Sequence, residues 1–167
     1  MLFAPALFPK DSSIYELRGE GSQIADMIST KRYVELLKQL TDVGTVTREM
    51  FTEKFKRMKS CKETYFITVM EDLTTGKIIG SGSLVLEEKF IHSCASRGRI
   101  EDIVVDSSYR GKQLGKYIVM LLTGIAKKLK CYKITLDCRD QMVPFYESLG
   151  YKKEPGNANY MTVRISD

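Results

Sequence analysis

Between residues 114 and 129 the apolar side chains Leu114, Ile118, Leu121, Leu122, Ile125 and Leu129 fall at i, i+4, i+7, i+8, i+11 and i+15. That spacing lays one stripe along an α-helix and predicts an amphipathic helix packed on a core. The same reasoning predicts an earlier helix over 22–40, where Ile24, Met27, Ile28, Val34, Leu37 and Leu40 recur near helical spacing, with a stutter around Thr30. The turn Thr41-Asp42-Val43-Gly44 ends it, and Thr47 is placed to cap a second helix running to about Lys59, with Phe51, Phe55 and Met58 on one face. Strand patterns fill the rest. Residues 12–18 alternate weakly and stop at Gly19 and Gly21, while 64–69 are rich in β-branched and aromatic residues. The turn Asp72-Leu73-Thr74-Thr75-Gly76 hands that strand to a returning partner over 77–87. Residues 99–105 form another strand ending in Ile103-Val104-Val105. A further strand over 132–136, a short helix over 141–149 closed by Gly150, and a last strand over 160–165 complete the chain. The order is strand, two helices, three strands, helix, strand, helix, strand. That is an α/β fold of the mixed-sheet (α+β) kind with helices packed on the sheet.

Composition narrows the chemistry. The chain has 167 residues, enough for one domain with a proper core; residues 1–11 read as an N-terminal arm and 12–167 as the domain. The arm, Met1-Leu2-Phe3-Ala4-Pro5-Ala6-Leu7-Phe8-Pro9, lacks a basic stretch and is broken by its prolines, so it does not read as a signal peptide. No apolar run approaches the ~20 residues that span a bilayer, and the expectation is a cytoplasmic protein. Against 21 acidic residues stand 26 basic ones, a formal charge of +5. This excess suits an anionic ligand, but it is too small and too evenly spread for a nucleic-acid surface. Lys127, Lys128 and Lys130 fall at a predicted helix end, where cations complement the dipole. The four cysteines (Cys61, Cys94, Cys131, Cys138) have neither metal-ligand spacing nor a secreted framework, and His92 is the one histidine, so neither a metal nor a disulfide is expected.

The informative segment is Val104-Val105-Asp106-Ser107-Ser108-Tyr109-Arg110-Gly111-Lys112-Gln113-Leu114-Gly115-Lys116. A strand ends, a polar turn follows, and a basic glycine-bearing loop opens the best helix of the chain. First-turn N–H groups have no internal partner and carry the positive end of the dipole, and glycine lets a phosphate approach them. Spacing alone leaves an ordinary turn and a phosphate site equally open. The segment is neither a Walker loop nor a dinucleotide fingerprint, since it lacks both glycine patterns.

The loop resembles the acetyl-CoA signature of the GNAT acetyltransferases, written Q/R-x-x-G-x-G/A. Arg110 matches its first position and Gly115 its last, while Gln113 stands in place of the central glycine. Further segments are similar, in order, to the eukaryotic glucosamine 6-phosphate N-acetyltransferase branch of that superfamily. They are Leu40 to Gly44, Lys89-Phe90-Ile91-His92, Ile100-Glu101-Asp102-Ile103-Val104-Val105, Cys131-Tyr132-Lys133-Ile134-Thr135-Leu136-Asp137-Cys138 and Phe145-Tyr146-Glu147-Ser148-Leu149-Gly150-Tyr151. The resemblance covers roughly residues 35–165 and implies the GNAT fold, a central twisted mixed sheet flanked by helices. It also implies acetyl transfer from acetyl-CoA to glucosamine 6-phosphate by direct attack in a ternary complex, without a metal.

Amide formation from a thioester needs a neutral amine, a group to take its proton, and a proton for the leaving thiolate. The resemblance places Tyr146 as the acid for the departing sulfur, Glu101 and Asp102 at amine recognition and proton removal, and Asp137 as the group orienting the amine. Alternation along the strand puts Glu101 and Asp102 on opposite faces. Acetyl-CoA is then expected against Ile103, Val104, Val105, Arg110, Gly111, Lys112, Gln113, Leu114, Gly115 and Lys116, with Tyr146, Glu147 and Ser148. The sugar phosphate falls to Lys89, Phe90, Ile91, His92, Tyr132, Lys133 and Arg164, with Thr41 at the sugar. Each basic residue taken alone reads sooner as a surface charge than as a ligand contact. Cys138, next to Asp137, is either an inert buried thiol or one able to form a mixed disulfide with CoA. The resemblance further implies a homodimer in which the C-terminal strand region, ending near Arg164, helps build the partner's site. A GNAT enzyme for another amine and an inactive acyl-CoA binder are the competing expectations.

Overall fold

The computed structural model describes residues 12–16, 30–156 and 161–163. The chain divides into two compact units, Met1–Thr135 and Leu136–Asp167. The first holds β1 (Ser12–Glu16), α1 (Thr30–Leu37), α2 (Arg48–Ser60), β2 (Tyr65–Asp72), β3 (Lys77–Glu88), β4 (Ser96–Val105), α3 (Leu114–Lys128) and β5 (Lys133–Thr135). The five strands form one sheet in the order β1-β2-β3-β4-β5. The first four are antiparallel neighbours and β4 and β5 run parallel. The mixed sheet expected from the sequence is therefore present.

α3 seats on β3 and β4 through glycines. A Cβ on Gly82 would stand 2.5 Å from Ile103 Cδ1 and 2.7 Å from Ile118 Cγ2, and one on Gly98 would stand 3.4 Å from Ala126 Cβ. Ile118, Val119, Leu122 and Ala126 are fully buried there. Of the predicted stripe Leu114, Ile118 and Leu122 are buried while Leu121, Ile125 and Leu129 are half-buried, so the buried face overlaps the stripe and takes in Val119 and Ala126 as well. A second cluster joins Tyr33 and Leu36 of α1 to Val69, Ile78 and Val104. The Tyr33 and Ser81 hydroxyls lie 3.2 Å apart. Phe51 of α2 meets the Tyr33 ring edge-on at 6.2 Å. α2 itself buries no residue, and Thr47 caps it as expected by accepting from the Met50 N–H at 3.2 Å.

Among the described residues two register shifts interrupt the sheet. Ser81 faces Val104, but Ser83 faces Glu101, so Asp102 and Ile103 together oppose Gly82 in a β-bulge. The other shift lies between Met70 and Glu71.

In the second unit a 3₁₀ turn (Asp140–Met142) leads into α4 (Val143–Glu147), which together replace the single helix expected over 141–149. Gly150 closes it with φ +90° and an N–H bond to Glu147 at 2.9 Å. Residues 161–163 carry no strand, and the rest of the strand expected over 160–165 lies outside the described residues, as do 22–29 of the first expected helix. The left-handed turn at Ile91–Cys94 and the 3₁₀ turn Ser107–Tyr109 were not legible in the periodicity. Among the described residues no helix is long and apolar enough to cross a membrane.

Candidate active site

β4 delivers its C-terminal end into the anion-binding geometry that the sequence suggests. After the 3₁₀ turn the chain passes Gly111 at φ +79° and Gln113 at φ +60°, then enters α3 at Leu114. Gln113 adopts the left-handed conformation that its glycine-like position calls for, despite carrying a side chain. That side chain makes no capping bond, so the N–H groups of Leu114, Gly115 and Lys116 are left to an external acceptor. Buried Leu114 pins the helix start, whereas Gly111, Lys112 and Gln113 are exposed, and nothing lies within 4 Å of a Cβ built on Gly111. Arg110 turns back to donate from Nε to the Val105 carbonyl at 3.3 Å. Unpartnered amides, a dipole end and the side chains of Arg110, Lys112 and Lys116 form a donor set that fits a diphosphate.

The β4 edge offers a second feature. β5 pairs only with Arg97, Gly98 and Arg99, so among the described residues Ile100 to Val105 have no strand partner on that side. Val104 is 4% exposed and belongs to the core, which leaves only its backbone for a ligand. Ile103 and Val105 are half-buried.

The bulge corrects the expectation for the paired carboxylates. Asp102 sits at φ +54°, and the added residue breaks the alternation that would have sent Glu101 and Asp102 to opposite faces. Both are exposed. Glu101 accepts from Arg99 Nε in a short ion pair. Desolvation by the surrounding protein and then the Glu101 charge push the Asp102 carboxyl above the usual carboxylate range. The Asp102 charge in turn acts on Tyr33, whose phenol is raised first by burial, against the opposing Ser81 hydrogen bond.

The cationic residues divide. Lys89 is committed to Glu87 at 2.7 Å, and Arg97 bonds the same carboxylate at 2.6 Å. His92, at φ +51° in the left-handed turn, stacks on Tyr132 with centroids 4.4 Å apart, and Lys133 Nζ lies 6.0 Å from the Tyr132 ring. His92, Tyr132 and Lys133 are thus gathered, with Phe90 (98% exposed) and Ile91 (61%) beside them in the chain. Thr41 is exposed beyond the end of α1, followed by an Asx turn in which Asp42 accepts from the Gly44 N–H at 2.9 Å. Arg164 lies outside the described residues.

In the second unit, buried Tyr146 is held edge-on by Phe145 (5.0 Å) and Tyr151 (6.0 Å). Desolvation, then Cys138 and Tyr151, push its phenol upward, so it is protonated at neutral pH. Asp137, Glu147 and Ser148 are exposed. Cys138 is exposed rather than buried, yet partial desolvation and the carboxylates of Asp140 and Asp137 raise its thiol against the pull of Lys153. A raised thiol is a poorer nucleophile, which counts against the disulfide reading.

Sequence reasoning missed two side-chain groups that position the loop, one around Asp106 and one around Tyr109. Asp106, 3% exposed, accepts from Lys77 Nζ at 2.8 Å and Gln39 Nε2 at 3.0 Å. Burial would raise its carboxyl, but Lys77 and the bonds from Ser108 and Gln39 hold it well below the usual range. Tyr109 donates to Asp72, and Lys112 Nζ lies 4.9 Å from its ring. A polar residue at a strand exit was the available signal; its partners, far away in the chain, gave none.

With this geometry in hand, comparison with known proteins is direct. The acetyltransferase (GNAT) family matches residues 31–151. A Drosophila melanogaster protein named a probable glucosamine 6-phosphate N-acetyltransferase is 53% identical over 135 residues, which is 81% of this chain and 61% of that protein. The chain thus spans about three fifths of that relative's length. The Arabidopsis thaliana glucosamine 6-phosphate N-acetyltransferase is 46% identical over 125 residues, covering 74% of this chain and 84% of that protein. A crystal structure of glucosamine-6-phosphate N-acetyltransferase from Arabidopsis thaliana superposes with a TM-score of 0.81 at 36% identity, over 93% of this chain and 99% of the other. A Trypanosoma brucei acetyltransferase gives 0.76 at 30% identity, with 93% and 99% covered. The sheet, the helix-opening loop and these likenesses agree, and the chain belongs to the GNAT acetyltransferase family, in its glucosamine 6-phosphate N-acetyltransferase branch.

Proposed function

We propose that this protein transfers the acetyl group of acetyl-CoA to the 2-amino group of D-glucosamine 6-phosphate, giving N-acetyl-D-glucosamine 6-phosphate and CoA. The observation that carries the reading is the entry to α3, where left-handed Gln113 leaves the first-turn amides open between Arg110, Lys112 and Lys116. Acetyl-CoA, when bound, supplies a thioester whose carbonyl carbon accepts an amine and whose sulfur leaves. The amides of Leu114, Gly115 and Lys116 hold its diphosphate, and the unpaired edge of β4 offers backbone groups to its extended arm.

Asp102 is the base. Its raised carboxyl is better matched to an ammonium proton than an ordinary surface aspartate, while Glu101, committed to Arg99, orients the amine. The amine nitrogen forms the new C–N bond as the C–S bond breaks, Tyr146 gives its proton to the thiolate, and the second proton that the nitrogen sheds passes through solvent to restore the phenol. The raised phenol supports that role, since the acid must still hold its proton when the sulfur departs. Asp137 assists in orienting the amine. His92, Tyr132 and Lys133, with Lys89 and Arg164, take the sugar phosphate, and Thr41 the sugar.

The wider reading is a cytoplasmic enzyme that supplies N-acetylglucosamine 6-phosphate for UDP-N-acetylglucosamine synthesis. It works as a homodimer whose C-terminal segments complete each other's sites. The exposure of Met161 (88%) and Val163 (80%) supports the dimer, because an uncovered apolar segment gains from a second copy.

The test is CoA release with glucosamine 6-phosphate, glucosamine, spermidine and a histone-tail peptide, repeated on Tyr146→Phe. Wild type should prefer the phosphosugar. Tyr146→Phe should lower kcat about 100-fold, the usual scale of one positioned acid, with KM nearly unchanged. Preference for spermidine or the peptide would defeat the sugar assignment. A phenylalanine variant at full speed would remove Tyr146 as the acid.

A further inference from the structure

We infer that Gln39 and Asp106 are positioning residues that tie the end of α1 to the coenzyme loop, so that the acceptor segment and the diphosphate site are held as one piece. The inference rests on the reading that the loop over 110–116 binds CoA, and it adds residues outside the contacts assigned above.

The geometry is a hub around one carboxylate. Asp106 follows β4 directly, four residues before Arg110. Its Oδ1 accepts from the Ser108 N–H at 2.9 Å and from the Ser108 hydroxyl at 2.5 Å. Its Oδ2 accepts from Gln39 Nε2 at 3.0 Å and Lys77 Nζ at 2.8 Å. Its own N–H donates to the Ile79 carbonyl at 2.9 Å, and its carbonyl accepts from the Tyr109 N–H at 2.9 Å. Gln39 closes the circuit by accepting from the Ser107 N–H at 2.8 Å through Oε1.

One side chain from beyond the end of α1 therefore satisfies both a backbone donor of the turn and the carboxylate that shapes it. Two residues later lies Thr41, whose N–H is still bonded to Leu37 at 3.2 Å. The ties run from the helix end to the turn, and from the turn to the loop. Gln39 is exposed and not needed for a hydrophobic core, so two bonds from it into the turn do positional work more than they add burial. A buried charge that accepts four hydrogen bonds fixes geometry strongly, because losing any one partner leaves the charge less compensated.

Gln39→Leu in the full chain keeps side-chain size and removes both bonds, while Lys77 and Ser108 still donate to the buried Asp106 carboxylate. The probe is CoA alone, titrated calorimetrically, followed by kinetics with acetyl-CoA and glucosamine 6-phosphate. The dissociation constant for CoA should rise about tenfold, the scale of one or two lost hydrogen bonds. The KM for the amine should rise with it, and kcat at saturation should stay within about twofold. Asp106→Asn, which keeps the shape and removes the charge, should weaken CoA at least as much. Lys38→Ala, which breaks only the exposed pair with Glu35, should bind CoA as wild type does. A role in folding alone would lower the thermal midpoint of Gln39→Leu and leave CoA affinity untouched. That result, or a fall in kcat at unchanged affinity, overturns the inference. A wild type that binds CoA but acetylates another amine removes the substrate reading, while the CoA titration still decides this one. A wild type that binds no CoA overturns both.

Discussion

At Asp102 the backbone leaves the strand conformation, and the consequences are chemical. Aspartate tolerates the left-handed region better than most residues, so the bulge can stand there without a glycine. The carboxyl that it presents is raised by desolvation and by Glu101. A folded value above the unfolded one means that folding favours the protonated form. This aspartate therefore costs no stability below the ordinary carboxylate range, and the cost builds as pH rises from that range and is complete above its raised value. Asparagine fits the same backbone without the charge. Asp102→Asn should therefore lower turnover severely and yet raise the thermal midpoint near neutral pH, with the gain fading in acid. Wild-type turnover should fall in acid at a higher pH than an ordinary aspartate would give. Paired melting curves and pH–rate profiles check this, and a variant less stable than wild type at neutral pH would contradict it. The sequence announced the two carboxylates but not their placement. Alternation is a property of an uninterrupted strand, and nothing in Glu101-Asp102-Ile103 marks where the extra residue enters.

The elements were legible to the degree that their causes are local. The stripe from Leu114 to Leu129 became α3 because each buried side chain is placed by helical geometry alone. Thr47 capped α2 for the same reason, since cap and capped N–H are three residues apart. The turn at Ile91–Cys94 was hidden, because three successive left-handed residues (His92, Ser93, Cys94) follow no propensity and none of them is glycine. The glycines of β3 show a third case. In sequence they look like strand weakeners, but in the fold Gly80 and Gly82 are clearances for α3. Gly82→Ala pushes a methyl group into Ile103, Ile118 and Leu122, so it should cost about 1–3 kcal/mol, the range for an overpacked core. Chemical denaturation would show this as a lower midpoint at unchanged slope, and an alanine variant as stable as wild type would mean that α3 is not seated so closely.

Across the whole molecule, the information that escaped the sequence is what long-range contacts carry. Gln39 and Asp106 are 67 positions apart, and no local pattern links them. The boundary between arm and domain is different, because the sheet itself suggests where to cut. β1 begins at Ser12, opposite Asp72, and ends at Glu16, opposite Thr68. The strand is five residues long, and it is all that separates β2 from being an open edge. An open edge exposes a row of unpaired backbone groups and invites association with other chains. If residues 1–11 are an arm outside the domain, deleting them should leave turnover and the thermal midpoint as they are. Extending the deletion through residue 16 removes β1, and should lower the midpoint and promote aggregation, although no proposed catalytic residue has been touched. Light scattering and melting curves on the two truncations separate the effects. Should the shorter deletion damage the protein as much as the longer one, the domain would have to begin before Ser12, and the first residues would belong to the fold.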